Sequence, residues 1–396
     1  MLDLMRLVVP AREKSMRLRS NRGAFRALAL AAALAVLAAT PAPAQNAYIT
    51  NSTGRTVSVI DTRTDRVVGA PIAAGLPLGV AVTPNGRRVY VTRPNSNDVL
   101  VIDAWSNTAV GEPIPVGRFP FGIAVTPDGK RVYVANEFAS TVSVIDTRTN
   151  AVVGDPIPVG LRPYGVAITP DGKRVYLTSL LDDAVAVIDT RTNTLAGAPI
   201  PVGDGPQGVA VTPDGKRVYV ANAFADSVVV IDTRTNRVAG DPIPVGDSPF
   251  GVAVAPDGRR VYVANANVST VSVIATKSNR VVGDPIPVGT NPFGIAVTPD
   301  GKKAYTANFG AATVTAIELA SNRAVATIPV GFQPYAFGLF IQPVPAFAGR
   351  PGAENCTGQS LAAAAQRHGG AAAAARALGY EDVSDLRKAI RDYCRD

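Results

Sequence analysis

Residues 122–160 read GIAVTPDGKRVYVANEFASTVSVIDTRTNAVVGDPIPVG, and this stretch decides the fold. It contains four apolar, β-branched runs, at 122–126, 131–136, 141–146 and 151–160, with turn residues between them. In the Thr-Pro-Asp-Gly turn at 126–129, proline presets φ for the second position and glycine accepts the positive φ that follows. The stretch therefore predicts four short antiparallel strands joined by tight turns.

The same pattern recurs along most of the chain. Its tyrosines are spaced 42 residues apart once and then 43 residues apart five times, at Tyr48, Tyr90, Tyr133, Tyr176, Tyr219, Tyr262 and Tyr305. Four strands in a period of about 43 residues are typical of one propeller blade, and no helical periodicity interrupts residues 46–345. Seven tyrosine strands predict seven blades.

The two ends of the repeat array complement each other. Tyr48 has no first strand before it, whereas residues 337–341 (FGLFI) follow VGFQP at 330–334 much as GIAV at 122–125 follows VGRFP at 116–120. A strand from the C-terminal side can therefore complete the first blade and remove the free edges of an open array. We predict an all-β, seven-bladed propeller over residues 46–343, closed by a C-terminal strand.

Residues 1–44 read as a leader. Four arginines at positions 17–26 precede an apolar run from Ala27 to Ala39, and Ala42-Pro43-Ala44 forms an A-x-A cleavage site before Gln45. The apolar run is shorter than the roughly 20 residues of a membrane span. We expect export, with a mature chain that starts near Gln45, has no transmembrane span and is periplasmic or secreted; translation could start at Met1 or at Met16.

The C-terminal residues form a separate small unit. A Pro- and Gly-rich linker at 344–355 leads into residues 356–396, whose last apolar stripe (Val383, Leu386, Ile390, Tyr393) predicts a helix. Cys356 and Cys394 fit one disulfide in an oxidising compartment. We predict a small helical domain tied by this disulfide.

Composition excludes several classes of function. His368 is the sole histidine of the sequence, and no CxxCH motif is present, so we predict no haem and no other cofactor. The formal charge of +8 comes mostly from the leader, because the remaining residues carry 32 basic and 29 acidic side chains. We therefore expect no nucleic-acid partner.

The YVAN and YVT runs, the TPDG turns and the VIDT runs resemble the YVTN-type β-propeller repeat proteins of bacteria over residues 46–343. That group includes surface-layer or antigen proteins, lactonase-like propellers and periplasmic accessory proteins, so the resemblance implies the fold and not one activity. The segment from Cys356 to Cys394, with Gly369-Gly370 and Ala377-Leu378-Gly379-Tyr380, is similar to short bacterial C-terminal helical domains with a Cys pair.

Blade topology separates two faces. The TPDG and DTRTN turns share one face and are nearly constant, whereas the loops between blades and those between second and third strands share the other face and vary. We call the second one the divergent face. An asymmetric binding surface would show such variation, as would exposed loops under relaxed constraint. The candidate binding residues on this face are Arg118, Phe119, Glu137, Phe138, Leu161, Arg162, Asp182, Asp183, Asp204, Phe224, Asp226, Asp247, Asn291, Phe309, Phe332 and Gln333.

These residues support three alternative functions. The favoured prediction is an exported, monomeric, non-enzymatic scaffold that binds a partner protein or an envelope ligand through the divergent face. A lactonase-like hydrolase would need a metal site built from Asp, Glu and Asn, for which the acidic residues of the divergent face are candidates, although solvated loop charge also explains them. The third alternative is a periplasmic accessory subunit of a redox system.

Overall fold

The computed structural model describes residues 45–343, Leu361, Ala371 and residues 383–395. In these residues 33 strands form seven antiparallel sheets, which are the seven predicted blades. The strands of blades 1–3 are β1 (Asn46–Asn51), β2 (Thr56–Asp61), β3 (Arg66–Val67) and β4 (Ile72–Ala73); β5 (Val80–Val82), β6 (Arg88–Arg93), β7 (Asp98–Asp103), β8 (Thr108–Ala109) and β9 (Ile114–Pro115); and β10 (Pro120–Val125), β11 (Arg131–Asn136), β12 (Thr141–Asp146), β13 (Ala151–Val152) and β14 (Ile157–Pro158).

Blades 4–7 repeat this order, and the fourth strand of most blades consists of two short pieces that both pair with the third strand. Their strands are β15 (Pro163–Ile168), β16 (Arg174–Ser179), β17 (Ala184–Asp189), β18 (Thr194–Leu195) and β19 (Ile200–Pro201); β20 (Pro206–Val211), β21 (Arg217–Asn222), β22 (Ser227–Asp232), β23 (Arg237–Val238) and β24 (Ile243–Pro244); β25 (Pro249–Val254), β26 (Arg260–Asn265), β27 (Thr270–Ala275), β28 (Arg280–Val281) and β29 (Ile286–Pro287); and β30 (Pro292–Val297), β31 (Lys303–Asn308), β32 (Thr313–Glu318) and β33 (Arg323–Pro329).

The turn between the first and second strands has the predicted geometry. In blade 3 the Gly129 amide donates to the Thr126 carbonyl (2.8 Å), and the Thr126 hydroxyl donates to Asp128 Oδ1 (2.6 Å). Gly129 has a φ of +71°, which strongly favours glycine. The side chains of the TPDG motif therefore fix the reversal.

The second recurrent turn connects each blade to the one before it. Asp146 Oδ1 accepts the amides of Arg148 (3.0 Å) and Thr149 (3.1 Å), so this aspartate shapes its own turn. Asn150 follows at a φ of +51°, and its Oδ1 accepts a hydrogen bond from the buried Tyr90 hydroxyl of blade 2 (2.8 Å). Equivalent bonds run from Tyr48 to Asn107, Tyr133 to Asn193, Tyr176 to Asn236, Tyr219 to Asn279 and Tyr262 to Asn322. Each repeated tyrosine thus joins its blade to the next turn.

The segment at 334–341 closes the ring on β1 as predicted. The Tyr48 amide donates to the Phe340 carbonyl (2.9 Å) and the Tyr335 amide to the Thr50 carbonyl (2.8 Å). Its register differs from the expected one, because Pro334 opposes Asn51 and Ile341 opposes Ala47, so this segment has two residues more than β10 between equivalent partners. The extra length forms a bulge at Phe337–Leu339.

The bulge of the closing segment pairs with a second blade. The amide of Val80 donates to the Phe337 carbonyl (3.0 Å), and the amide of Val82 donates to the Leu339 carbonyl (3.1 Å). The closing segment thus bonds to the strands of blades 1 and 2 together.

Glycine allows the innermost strands to approach one another. A Cβ at Gly122 would lie 1.9 Å from the Tyr164 carbonyl oxygen of the next blade, and one at Gly208 would lie 2.0 Å from the Phe250 carbonyl oxygen. No side chain fits at these distances. The glycine two residues after the proline is therefore required by packing in six of the innermost strands, whereas the closing segment has Ala336 at this position.

The C-terminal helix α1 spans Val383–Arg395, with Leu386 and Ile390 buried, as the apolar stripe predicted. The leader, the linker and the Cys356–Cys394 disulfide lie outside the described residues. Among the described helices, none is long and apolar enough to cross a membrane.

Candidate binding face and channel mouth

One position near the start of the innermost strand brings aromatic rings of several blades together on the divergent face. It is the residue after the proline that opens the innermost strand, and in chain order it is Leu78, Phe121, Tyr164, Gln207, Phe250, Phe293 and Tyr335. Phe121, Tyr164, Phe250 and Tyr335 are buried in one aromatic cluster together with Phe337. The centre of the divergent face is therefore apolar.

Phe337 occupies the middle of this cluster. Its ring centroid lies 5.6 Å from Phe121 in blade 3, 5.6 Å from Tyr164 in blade 4 and 5.5 Å from Phe250 in blade 6. The bulge of the closing segment carries it there, since the Phe337 carbonyl is bonded to β5. We call these rings the aromatic plug; they fill the channel mouth on the divergent face.

The polar atoms of the plug have few partners. The Tyr164 and Tyr335 hydroxyls lie 2.7 Å apart, and burial raises the pKa of both phenols above the ordinary value. Gln207 occupies the same position in blade 5, and its buried Oε1 has no hydrogen-bond donor among the described residues. An unpaired buried carbonyl costs about 1–3 kcal/mol.

A buried carboxylate lies beside the plug. Glu137 is 6% exposed, and its Oε1 lies 3.4 Å from Arg162 Nε. Burial raises the Glu137 pKa, although the Arg162 charge opposes that shift. The Arg162 guanidinium lies over the Phe138 ring at 5.2 Å, and Phe138 stacks on Phe119 at 4.3 Å. These four predicted residues do come together.

Phe119 and Arg162 both precede the proline of an inter-blade loop, and both have positive φ, +55° and +52°. The equivalent residues Gly205, Ser248 and Asn291 suit that conformation better, whereas bulky side chains are uncommon there. Backbone conformation therefore places Phe119 and Arg162 at the channel mouth at a cost of about 1 kcal/mol or more each.

The predicted aspartates hold neighbouring loops. Asp183 Oδ1 accepts the Gly205 amide (3.0 Å), and Asp226 Oδ1 accepts the Ser248 amide (2.9 Å). Asp182 Oδ2 accepts the Leu161 amide (2.6 Å), and Asp247 Oδ1 accepts the Asn267 side-chain amide (2.9 Å). Asp204 is exposed.

The aspartates of the divergent face do not gather into a metal site. Within the described ranges, no group of three or more His, Cys, Asp or Glu side chains could hold a metal ion. The candidate cation site for a hydrolase therefore has no support among these residues, and aromatic rings occupy the channel mouth.

Large apolar side chains are exposed around the divergent face. Their exposed fractions lie between 45% and 72%, and the residues are Phe138, Leu161, Leu181, Phe224, Val268 and Phe332. The candidate binding residues Phe119 and Phe309 are half-buried, because they pack on Phe138 and on Phe293 respectively. Isolated exposed apolar residues are ordinary, but this set shares one face.

The remaining predicted residues lie in the loops of the same face. Arg118 is exposed, and its carbonyl accepts the Phe138 amide (3.2 Å). Asn291 Nδ2 donates to the Ala266 carbonyl (3.3 Å), and the Gln333 carbonyl accepts the Ser52 amide (2.9 Å). The last two therefore connect adjacent loops.

Basic side chains on the opposite face are held by contacts within the scaffold. Lys173 Nζ lies 3.7 Å from Asp171 Oδ2 in the same turn, and Arg174 donates to the Thr233 carbonyl of the next blade (2.7 Å). The Lys/Arg pairs that follow the TPDG glycines are thus explained by scaffold contacts. They leave the divergent face as the stronger candidate for binding.

Sequence reasoning missed the aromatic plug. The candidate residues of the inter-blade loops precede the proline, whereas the plug residues other than Phe337 come directly after it. The signal was available, since this position varies among Leu, Phe, Tyr and Gln while the following residue is glycine in six blades and Ala336 in the closing segment.

Comparison with known proteins supports the fold. Residues 117–239, from the loop before blade 3 into blade 5, match the family model described as lactonase, 7-bladed beta-propeller. The match includes Glu137, Arg162 and Gln207. No curated protein matches the chain.

Solved structures share the same architecture. Hydrazine synthase from Kuenenia stuttgartiensis is 27% identical, with a TM-score of 0.63 over 69% of this chain and 92% of that chain. The periplasmic gluconolactonase of Pseudomonas aeruginosa is 19% identical (TM-score 0.62; 76% and 99% covered). A functionally unknown protein from Desulfotomaculum acetoxidans is 18% identical (TM-score 0.63; 74% and 99% covered). The chain is a seven-bladed β-propeller, and its residues 117–239 are similar to the lactonase propeller family.

Proposed function

We propose that this chain is an exported scaffold that binds a partner protein through the divergent face. The observation that carries the proposal is the ring of exposed apolar side chains on that face, set against nearly constant turns on the other. Apolar side chains that become buried in an interface commonly provide much of its binding energy.

The aromatic plug supports a binding surface more than an active-site cavity. The aromatic side chains of the plug fill the channel mouth, so the divergent face is a rim of loops around a closed, apolar centre; these side chains are Phe121, Tyr164, Phe250 and Phe337. A protein partner can cover such a surface, because interfaces between proteins are broad and shallow compared with ligand pockets.

Lactone hydrolysis is the second candidate, and the family match over residues 117–239 favours it. The buried Glu137 beside Arg162 would be the first residue to examine, since a carboxyl with a raised pKa can act as a general acid or base. Turnover of a lactone by purified protein, abolished by Glu137→Gln, would replace the scaffold proposal.

Photocrosslinking in the native cell tests the scaffold proposal. A photoreactive amino acid at Phe224 on the divergent face should give a discrete crosslinked protein, whereas the same group at Trp105 on the opposite face should not. Both side chains are large and more than half exposed, so the positions are matched.

Substitution then tests the same surface. Phe224→Asp should weaken capture of the crosslinked protein by about thirtyfold, the effect of losing roughly 2 kcal/mol at an aromatic anchor, while Trp105→Asp should not. Equal crosslinking at both faces, or none at either, would contradict the proposal.

N-terminal sequencing of the protein from cell fractions tests export. The leader pattern predicts a mature N-terminus at Gln45 outside the cytoplasm. An intact N-terminus in the cytoplasmic fraction would contradict export without bearing on the binding surface.

A further inference from the structure

Charge is sorted across the divergent face. The loops of blades 4–6 on this face, at 180–183, 203–206, 223–226, 246–249 and 266–269, contain five aspartates and no lysine or arginine. Arg162, in the loop at 160–163 that leads into blade 4, borders these loops and pairs with Glu137 at 3.4 Å. The exposed arginines Arg55 and Arg118 lie on the other side of the face, where Arg93 and Asp98 also pair at 2.6 Å. We call the loops of blades 4–6 the acidic arc.

The charges of the acidic arc are held in place and are not neutralised. Asp182, Asp183 and Asp226 each use one carboxylate oxygen to accept a loop amide, and Asp247 accepts from Asn267. All are exposed, and within the described residues none of the five aspartates forms an ion pair. The four hydrogen-bonded aspartates therefore each keep a second carboxylate oxygen available in a fixed position, and Asp204 adds an exposed carboxylate.

Apolar side chains alternate with these carboxylates. Leu181 directly precedes Asp182, Phe224 lies two residues before Asp226, and Val268 follows Asn267, the partner of Asp247. Each of the three apolar side chains is about half exposed or more. The arc therefore offers apolar contacts and negative charge within one strip of surface.

We infer that the acidic arc binds a polypeptide segment of the partner in which basic and large apolar side chains alternate. Basic side chains would lie opposite the aspartates, and apolar ones would contact Leu181, Phe224 and Val268. An acidic segment should bind the acidic arc weakly, because like charges that face each other across an interface repel. This inference rests on the proposed function and specifies the chemistry of the partner.

Two labelled synthetic peptides of equal length test the inference with fluorescence anisotropy. One alternates Arg with Leu and the other alternates Glu with Leu. The wild-type protein should bind the Arg-Leu peptide at least about tenfold more tightly, and the preference should shrink as salt is added, because exposed charges are screened.

Charge reversal on the arc supplies the specific change. Asp204→Lys with Asp247→Lys should remove the preference, since these two exposed carboxylates come from neighbouring loops. Asp155→Lys with Asp241→Lys changes the net charge equally at two exposed sites on the outer rim and should keep it. Thermal unfolding of both variants checks that the propeller is folded.

The outcomes separate this inference from the proposed function. If neither peptide binds wild type, or if both lysine pairs have the same effect, the acidic arc does not select a basic segment. The scaffold proposal would still stand if Phe224 crosslinks a partner in cells. Loss of the preference in the arc variant alone supports the inference.

Discussion

The hydroxyl of Tyr164 lies 2.7 Å from the hydroxyl of Tyr335, although 171 residues separate them. Tyr164 begins the innermost strand of blade 4, and Tyr335 belongs to the segment that closes blade 1. The contact therefore connects opposite parts of the ring across its centre, inside the aromatic plug.

This pair predicts a non-additive pattern of stability. Tyr335→Phe should destabilise the protein by about 1–3 kcal/mol, because the Tyr164 hydroxyl would remain buried without a partner. Tyr164→Phe should cost a similar amount, whereas the double variant should cost much less than the sum. Denaturant unfolding of the four proteins measures this; strictly additive costs would contradict the pairing.

Ring closure predicts different effects of two truncations. A chain that ends at Gln333 lacks both the strand bonded to Tyr48 and the Phe337 ring, so it should aggregate or unfold at a clearly lower temperature. A chain that ends at Gly352 keeps both and should unfold like the full protein. Calorimetry with light scattering compares them, and similar melting of the two would disprove closure by this segment.

Burial of Glu137 predicts a pH dependence. Its pKa is raised in the folded state, so the unfolded state ionises first as pH rises above the ordinary value of 4.5, and stability falls from there up to the folded pKa. The Glu137→Gln variant has no carboxyl group to ionise at this position. Its free energy of unfolding should therefore rise relative to that of wild type as pH increases from 4 toward neutrality. Melting curves across this range should show no such trend for Glu112→Gln, an exposed control on the rim.

At the junction of blades 7 and 1, removing the hydroxyl of the repeated tyrosine should destabilise the protein more than the same change at another blade junction. The Tyr305 hydroxyl contacts the Thr62 carbonyl (2.9 Å) and the Asp65 carboxylate, whereas Tyr219 contacts the neutral Asn279 (2.8 Å). Hydrogen bonds to charged groups are the stronger ones. Tyr305→Phe should therefore cost about 2 kcal/mol and Tyr219→Phe about 1 kcal/mol in urea unfolding; the reverse order would be inconsistent with this structure.

The Cys356–Cys394 pairing remains a prediction. Intact mass without reductant should be two hydrogens lower than the reduced mass, and Cys394→Ser should leave the main unfolding transition unchanged, because residues 46–343 contain no cysteine. Closing this loop is worth about 4 kcal/mol to the tail by chain entropy. Free thiols in protein taken from its native compartment would argue against the disulfide.

The blades could be predicted from sequence because each local rule repeats. The Thr126–Gly129 turn, the Asp146 turn and the apolar run within Arg131–Asn136 recur with few changes, so they predict the same strands and reversals in each unit. The closing strand followed from counting, but its bulge did not. The backbone partners of Phe337 in blade 2 lie more than 200 residues away in sequence. No local pattern shows that the Val80 amide donates to the Phe337 carbonyl.

The candidate site was only partly predictable for a related reason. The charge of Asp183 and Asp226 makes them candidate binding residues in the sequence. In the structure, one carboxylate oxygen of each accepts a backbone amide of an adjacent loop that is distant in sequence. Phe121 and Phe250 look like ordinary strand residues, and only the ring brings them together. These aromatic rings meet at the centre only because seven blades close into a ring, and the sequence of a single repeat does not show this closure.

The bond from each repeated tyrosine to the asparagine of the following turn has a consequence for how such a molecule can evolve. A duplicated unit of about 43 residues arrives with a donor for its successor and an acceptor for its predecessor, so blades can be inserted or deleted by recombination without inventing new junction chemistry. The seam where the circle ends is the exception: there, Tyr305 meets Thr62 and Asp65, with Lys303 also bonded to Asp65. These three side chains and the Thr62 carbonyl therefore form a junction that differs from the repeated one and is specific to the seam of the ring.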